Sequence, residues 1–139
     1  FVAVGGLSET GVIRDLATKA VALTEGDVTK TSLLVLWLSA LVSSVLDNIP
    51  FVATMIPLIQ NMGAMGVDNL EPVWWSLSLG ACLGGNGTLV GASANLIVAG
   101  MAADRGVKIS FLNYFKISFP IMIMTIAIST IYVYLRYLL

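Results

Sequence analysis

The chain has 139 residues, of which 58% are hydrophobic and only 11% are charged, and its mean hydropathy is +0.93. This composition is typical of a protein that lies in a lipid bilayer, and a net charge of −1 excludes a basic surface for nucleic acid. A single cysteine, Cys82, and the lack of histidine exclude a disulfide framework and an ordinary zinc site.

The first two predicted segments do not span a membrane. Residues 1–10 are apolar and contain Gly5-Gly6, but at about 1.5 Å per residue they are too short for a hydrocarbon core about 30 Å thick. We interpret them as the end of a truncated transmembrane helix and, without an initiator Met or a signal peptide, we expect the chain to be a fragment. Residues 11–27 predict an interfacial amphipathic helix, with a connector helix packed on protein as the alternative. The apolar face of this helix consists of Val12, Ile13, Leu16, Ala20 and Leu23.

Asp47 is the only charged residue between positions 31 and 67. The apolar stretches before and after it would each reach only about 24 Å as helices, which is short of the hydrocarbon thickness. Residues 30–62 therefore predict a re-entrant hairpin whose tip contains Asp47. At this tip we expect Pro50 to end the first limb and Asn48 to cap the first turn of the second limb.

The rest of the chain predicts a broken helix and a complete one. Residues 72–103 carry no charge and are too long for one straight span, and positions 80–91 contain five glycines. A break in a helix at this depth is tolerated only against protein or a cavity, so we expect a discontinuous transmembrane helix. Residues 110–137 predict the C-terminal transmembrane helix, which ends in tyrosines and an arginine as expected at a membrane interface.

Oxygen-bearing side chains are concentrated at the two predicted interruptions. An unpaired carboxylate inside a bilayer costs about 2–4 kcal/mol, so Asp47 is expected to bind a cation, a proton or water, with a helix-capping role as the alternative. Hydroxyl and amide oxygens beside the free carbonyls of broken helices are ligands that small cations prefer, although each residue could instead cap or pack a helix. The predicted ion-binding or substrate-binding residues are Asp47, Asn48, Asn86, Thr88, Ser93 and Asn95.

Two stretches carry a resemblance to a known family. Residues 46–57 read LDNIPFVATMIP and residues 84–95 read GGNGTLVGASAN; together with residues 1–11 they resemble the ion transporter superfamily. Within it they are most similar to the group of arsenite permeases, P protein and D-type Na+/H+ antiporters, which have citrate transporter-like domains. The resemblance covers nearly the whole chain and identifies it as similar to the C-terminal half of such a permease.

The resemblance implies an all-α integral membrane fold: half of an inverted-repeat transporter with a re-entrant hairpin, a discontinuous helix and a final transmembrane helix. It also implies that the hairpin tip and the broken helix frame a cation site. The implied Na+ ligands are Asp47, Asn48, Ser93 and Asn95, and no cofactor is expected beyond Na+ or H+ as the coupling ion. Dicarboxylate transporters of the superfamily carry Ser-Asn-Thr at the tip, so the aspartate here favours a cation or a proton over a dicarboxylate.

The function predicted is a secondary active transporter of small ions, through Na+/H+ antiport or through efflux of arsenite or another anion. The alternative is an ion channel or an uncoupled substrate-binding module of the membrane. An enzyme is not expected, because aspartyl chemistry requires two membrane carboxylates and serine chemistry requires a base, whereas the chain offers one intramembrane aspartate and no histidine. Expected partners are the lipid bilayer, a small ion, the N-terminal half of the same permease and, by the resemblance alone, a second copy in a homodimer. The expected location is a membrane that the protein crosses several times, which is the cell membrane in a prokaryote.

Overall fold

The computed structural model describes residues 2–139, apart from the side chains of Val4 and Ser8. Phe1, the first residue of the predicted truncated helix, lies outside the described residues. The described part of the chain is all-helical and has no strand. Its elements are α1 (Val2–Glu9), α2 (Val12–Thr24), α3 (Val28–Ser43), α4 (Asn48–Ala64), α5 (Glu71–Gly84), α6 (Ser93–Asp104), α7 (Phe111–Val133) and a π-helical turn (Tyr134–Leu138).

Side-chain caps set the beginnings of two helices. The Asp27 carboxylate accepts a hydrogen bond from the backbone N–H of Thr29 at 3.0 Å and so starts α3. The Ser110 hydroxyl accepts one from the backbone N–H of Asn113 at 3.3 Å and starts α7. In both cases the cap satisfies an N–H that has no partner inside the helix.

Helices α3 and α5 form the centre of the fold and run parallel to each other. A Cβ placed on Gly80 of α5 would lie 2.8 Å from the Cβ of Ser39, and one placed on Gly84 would lie 2.6 Å from the Cα of Ala40. The contact advances along both helices in the same direction, which establishes the parallel arrangement. Glycine at these positions allows the two backbones to touch, as is common where helices pack in membranes.

Two apolar clusters attach further helices to this central pair. One cluster joins α3 and α5 to α4, and the other joins α3 to α7, where the Trp37 indole also donates a hydrogen bond to the Thr130 hydroxyl at 3.1 Å. In the π-helical turn that follows α7, Tyr137 stacks on Trp75 of α5 with ring centroids 6.1 Å apart. The buried members of the clusters are Val35, Met55, Ile59, Val73 and Leu77 in the first and Leu36, Ala40, Met122 and Ile126 in the second.

The face that α2 uses for packing agrees only in part with the apolar face deduced from the sequence. Ala17 is fully buried and forms a cluster with Met62 of α4 and with Val67, whereas Leu16 and Leu23 are exposed. The small alanine side chain allows α2 to approach α4 closely, and the larger leucines are left on the outer side. Of the predicted face, Ile13 is buried and Ala20 is partly buried against this cluster.

One helix of the described chain, Phe111–Leu138, is long and apolar enough to cross a membrane by length and composition. Val28–Ser43 is a shorter apolar helix. Helices α3 and α4, with 16 and 17 residues, each extend about 25 Å at about 1.5 Å per residue.

Two local expectations at the turn between α3 and α4 were wrong. Helix α3 ends at Ser43, well before Pro50, which lies in the first turn of α4. Proline is tolerated there because the first N–H groups of a helix have no acceptor within it. Asn48 does not cap α4 either, since the N-cap position belongs to Asp47 and Asn48 is the first helical residue.

Candidate functional site

The two interruptions of the helical chain lie against each other. Residues 44–47 separate α3 from α4, and residues 85–92 separate α5 from α6. The hydroxyl of Thr88, in the second interruption, donates a hydrogen bond to the carbonyl oxygen of Ser44, in the first. Because α3 and α5 are parallel and end side by side, their interruptions meet at the same end of the central helix pair.

Gly91 lies at the closest approach of the two interruptions. A Cβ on this residue would be 2.7 Å from the carbonyl oxygen of Gly85 and 2.8 Å from that of Ser44. No side chain larger than hydrogen fits without moving backbone atoms. The glycine therefore allows carbonyl oxygens from both interruptions to converge.

A second contact joins α4 and α6, the two helices that follow the interruptions. The hydroxyl of Ser93, the first residue of α6, donates a hydrogen bond to Oδ2 of Asp47 at 3.3 Å. Asp47 holds the N-cap position of α4 but makes no capping hydrogen bond to that helix. Both side chains are exposed in this chain, so the carboxylate remains accessible to a ligand.

Asn95 holds the second interruption in shape. Its Nδ2 donates hydrogen bonds to the carbonyl oxygens of Gly85 at 2.9 Å and Thr88 at 3.1 Å, so both amide protons are used. Its Oδ1 has no hydrogen-bond donor within the described residues and can serve as a ligand. The Asn48 side chain reaches the same place from α4. Both terminal atoms of its amide lie 3.2 Å from the point that a Cβ on Gly85 would occupy.

Five of the six residues singled out from the sequence meet at this junction. Asp47 contacts Ser93, Asn48 and Asn95 both reach Gly85, and Thr88 bonds to Ser44. Asn86 is the exception, because its side chain is exposed and makes no hydrogen bond in the part of the chain that the structure describes.

Sequence reasoning did not single out Ser43 and Ser44. Ser43 is fully buried, and its hydroxyl lies within hydrogen-bonding distance of the Asn48 amide and 2.7 Å from the carbonyl oxygen of Ala81. The signal that could have identified them is a pair of polar residues at the end of an apolar limb, just before the predicted tip.

The electrostatics of the junction follow from four helix ends. The C-terminal ends of α3 and α5 present carbonyl oxygens and a partial negative charge, and the N-terminal ends of α4 and α6 present N–H groups and a partial positive charge. The Asp47 carboxylate adds a full negative charge at the N-terminal end of α4. This combination of carbonyl, amide, hydroxyl and carboxylate oxygens can coordinate a small hard cation.

Comparison with known proteins identifies the family. The CitMHS citrate transporter model matches residues 1–80, which is more than half of the chain. The chain belongs to this family. The chain is 43% identical to an uncharacterised transporter of Mycobacterium tuberculosis over 139 residues, which cover 99% of this chain and 32% of that protein. It is 42% identical to a 46 kDa membrane protein of Mycobacterium leprae, covering 99% of this chain and 33% of that protein. It is also 48% identical to the P protein of Homo sapiens over 101 residues, which cover 71% of this chain and 12% of that protein.

The family and these relatives place the chain among membrane transporters. The predicted membership of the group with P protein and citrate transporter-like domains is confirmed, and the protein is a multi-pass membrane protein. The chain spans about a third of the length of the mycobacterial relatives, at 32% and 33% of their residues. No solved structure matches the chain.

Proposed function

We propose that this chain is part of a secondary active transporter in which the junction of the two interruptions binds the transported or coupling ion. The first candidate activity is exchange of a monovalent cation such as Na+ for protons, and the second is efflux of arsenite or another anion. Membership of a transporter family supports transport in general. The choice of ion rests on the chemistry of the junction.

The observation that carries the proposal is the contact between Asp47 and Ser93. This contact connects the N-terminal ends of α4 and α6, the two helices that follow the interruptions. The carboxylate of Asp47 is the only charged group between positions 31 and 67 of the sequence. A carboxylate at such a place is costly in a membrane unless a cation or a proton neutralises it. Binding of a cation or a proton offsets this cost.

A count of charges favours a monovalent cation over an anion. Each helix end is equivalent to about half an elementary charge, so two N-terminal and two C-terminal ends nearly cancel. The ionised Asp47 then leaves the junction with a net charge of about −1. One Na+ ion or one proton balances this charge, whereas an anion would add to it.

The proposed ligands come from both sides of the junction. Asp47 and Asn48 supply a carboxylate and an amide oxygen from the start of α4, and Ser93 and Asn95 supply a hydroxyl and an amide oxygen from α6. Thr88 has a different role in this proposal, because its hydroxyl is already bonded to Ser44 and ties the interruptions together. Asn86, which is exposed and without a side-chain hydrogen bond in the described chain, has no contact that supports a ligand role.

A single carboxylate can couple two ions by competition. When Asp47 is protonated it no longer attracts Na+, and when Na+ is bound the proton is displaced. If the junction faces the two sides of the membrane in turn, each cycle carries one ion in each direction. The remainder of a permease of the relatives' length would supply the second half of the site, and a homodimer is the assembly proposed by analogy.

The test uses the full-length permease in everted membrane vesicles that carry a proton gradient. Addition of Na+ or Li+ is expected to dissipate the gradient in the wild type with saturable dependence on the cation, and Asp47→Asn is expected to abolish this response. Asp68→Asn is the control, because Asp68 is exposed in the loop before α5. The amount of each variant in the membrane is measured in parallel.

Each other outcome has a defined meaning. A full response in Asp47→Asn would contradict the central role of this carboxylate. Flux that neither saturates nor depends on a gradient would favour a channel. A wild type that inserts normally but ignores both cations would shift the proposal to arsenite or another anion.

A further inference from the structure

We infer that Ser43 is a positioning residue, which orients the side-chain amide of Asn48 so that its oxygen is free to bind a cation. The hydrogen-bond arrangement stands on the geometry alone, and its functional consequence rests on the function proposed above. Ser43 is the last residue of α3 and is fully buried. Its hydroxyl contacts both Oδ1 of Asn48 and the carbonyl oxygen of Ala81, the latter at 2.7 Å.

The proton count at Ser43 decides the orientation of the amide. A serine hydroxyl carries one proton. Oδ1 of Asn48 and the carbonyl oxygen of Ala81 are both acceptors, so the Ser43 hydroxyl cannot donate to both. Exchanging the oxygen and nitrogen of the Asn48 amide resolves the conflict. Nδ2 of Asn48 then donates to the Ser43 hydroxyl, which in turn donates to the Ala81 carbonyl.

The Ala81 carbonyl is the acceptor that needs this proton. It belongs to the last turn of α5, where its helical partner would be the N–H of Gly85, but that N–H bonds to the carbonyl of Leu83 instead. A buried carbonyl that lacks this helical donor is stabilised by another one, and the Ser43 hydroxyl supplies it. The Ser43 hydroxyl must be the donor in this hydrogen bond, because a carbonyl oxygen can only accept.

No other hydrogen bond fixes the orientation of the Asn48 amide. Within the described residues its only hydrogen-bonding partner is the Ser43 hydroxyl. The hydrogen bond to Ser43 is then the deciding interaction. This hydrogen bond uses the NH2 group of Asn48 and leaves Oδ1 free of hydrogen bonds. Oδ1 is the amide atom that can coordinate a cation.

The first experiment measures cation dependence of proton-gradient dissipation by the full-length permease in everted vesicles. Ser43→Ala removes the acceptor for the Asn48 NH2 group, so the half-saturating Na+ concentration is expected to rise about tenfold with the maximal rate near that of the wild type. Ser39→Ala is the matched control: Ser39 lies on the same helix and is equally buried, but its hydroxyl has no partner in the described chain. It is expected to leave the half-saturating concentration unchanged.

A double-variant comparison separates positioning from a general structural effect. If Ser43 acts through Asn48, adding Ser43→Ala to Asn48→Ala should raise the half-saturating concentration no further. An equal rise in Ser39→Ala, or no rise in Ser43→Ala, would overturn the inference. A wild type without any cation response would overturn the proposed function and the positioning role with it.

The hydrogen bond itself is tested without transport. Thermal unfolding of the purified permease in detergent and sodium-free choline chloride is measured for Ser43→Ala, Asn48→Ala and the double variant. Non-additive shifts of the midpoint are expected because the two side chains interact directly. Additive shifts would overturn the contact between Ser43 and Asn48 whatever the transport result.

Discussion

Gly84 of α5 lies directly against the backbone of Ala40 on α3, so that a Cβ on the glycine would come within 2.6 Å of the Ala40 Cα. The neighbouring atom belongs to backbone and cannot rotate away as the end of a side chain could. This contact holds the C-terminal ends of α3 and α5 together. The position of the candidate site, which begins immediately after both ends, depends on it.

Gly84→Ala is expected to destabilise the protein, because the added methyl group separates α3 from α5. Overpacking of this kind typically costs about 1–3 kcal/mol. Thermal unfolding of the detergent-purified permease measures the effect. Gly100→Ala is the control, since a Cβ at Gly100 meets no atom within 4 Å and alanine is the better helix former. A Gly84→Ala midpoint equal to that of the control would contradict the close packing.

Gly91→Ala is expected to reduce cation-dependent transport by at least tenfold, more than it reduces the amount of protein in the membrane. The methyl group would collide with the carbonyl oxygens of Gly85 and Ser44, so the interruptions could not keep their present arrangement. Cation-driven dissipation of the proton gradient, normalised to inserted protein, is the measurement. Gly5→Ala serves for comparison because a Cβ there meets nothing within 4 Å. Normal transport by Gly91→Ala would show that the carbonyl arrangement is not required.

Ser93→Ala is expected to raise the half-saturating Na+ concentration by a few fold, and Ser93→Thr is expected to restore it. The hydroxyl contacts the Asp47 carboxylate at 3.3 Å in an exposed setting, where one hydrogen bond contributes about 1 kcal/mol or less. The measurement is the same cation titration in vesicles. Identical titration curves for the wild type and Ser93→Ala would remove Ser93 from the proposed ligands.

Asn95→Ala is expected to lower the free energy of unfolding by about 1–3 kcal/mol, because it removes two hydrogen bonds to the carbonyls of Gly85 and Thr88. Asn86→Ala makes the same chemical change at an exposed side chain without a hydrogen bond in the described chain, and its effect should be within about 0.5 kcal/mol. Chemical or thermal unfolding in detergent compares the two. Equal losses of stability would mean that the Asn95 hydrogen bonds do not hold the interruption.

Most of the candidate site could be recognised from residue types at the two interruptions. Asp47 stood out as a lone charge in an apolar stretch, and the glycines of positions 80–91 predicted a break that the structure has between Gly84 and Ser93. Ser43 was missed because its importance depends on the proximity of Ala81, which is 38 residues away in the sequence. Hydrogen bonds over such separations depend on how helices pack, and local patterns carry no information about that.

The packing face of α2 shows the same limit. Hydropathy favoured Leu16 and Leu23, but the helix packs through Ala17. In a bilayer a large apolar side chain is equally stable against lipid and against protein, so its hydrophobicity does not reveal the direction in which it points. Small residues identify close helix contacts better, as they do between α3 and α5.

The sequence by itself determined the membrane class, the helical content and the two interruptions, because these follow from hydropathy, from helix length and from the local effect of glycine. It also determined which side chains at the interruptions bear oxygen. Only the tertiary structure decided that the interruptions meet, that Asp47 contacts Ser93 and that Ser43 can orient Asn48. Those contacts result from the parallel packing of α3 and α5 on glycine, an interaction between backbones distant in sequence that no local propensity encodes.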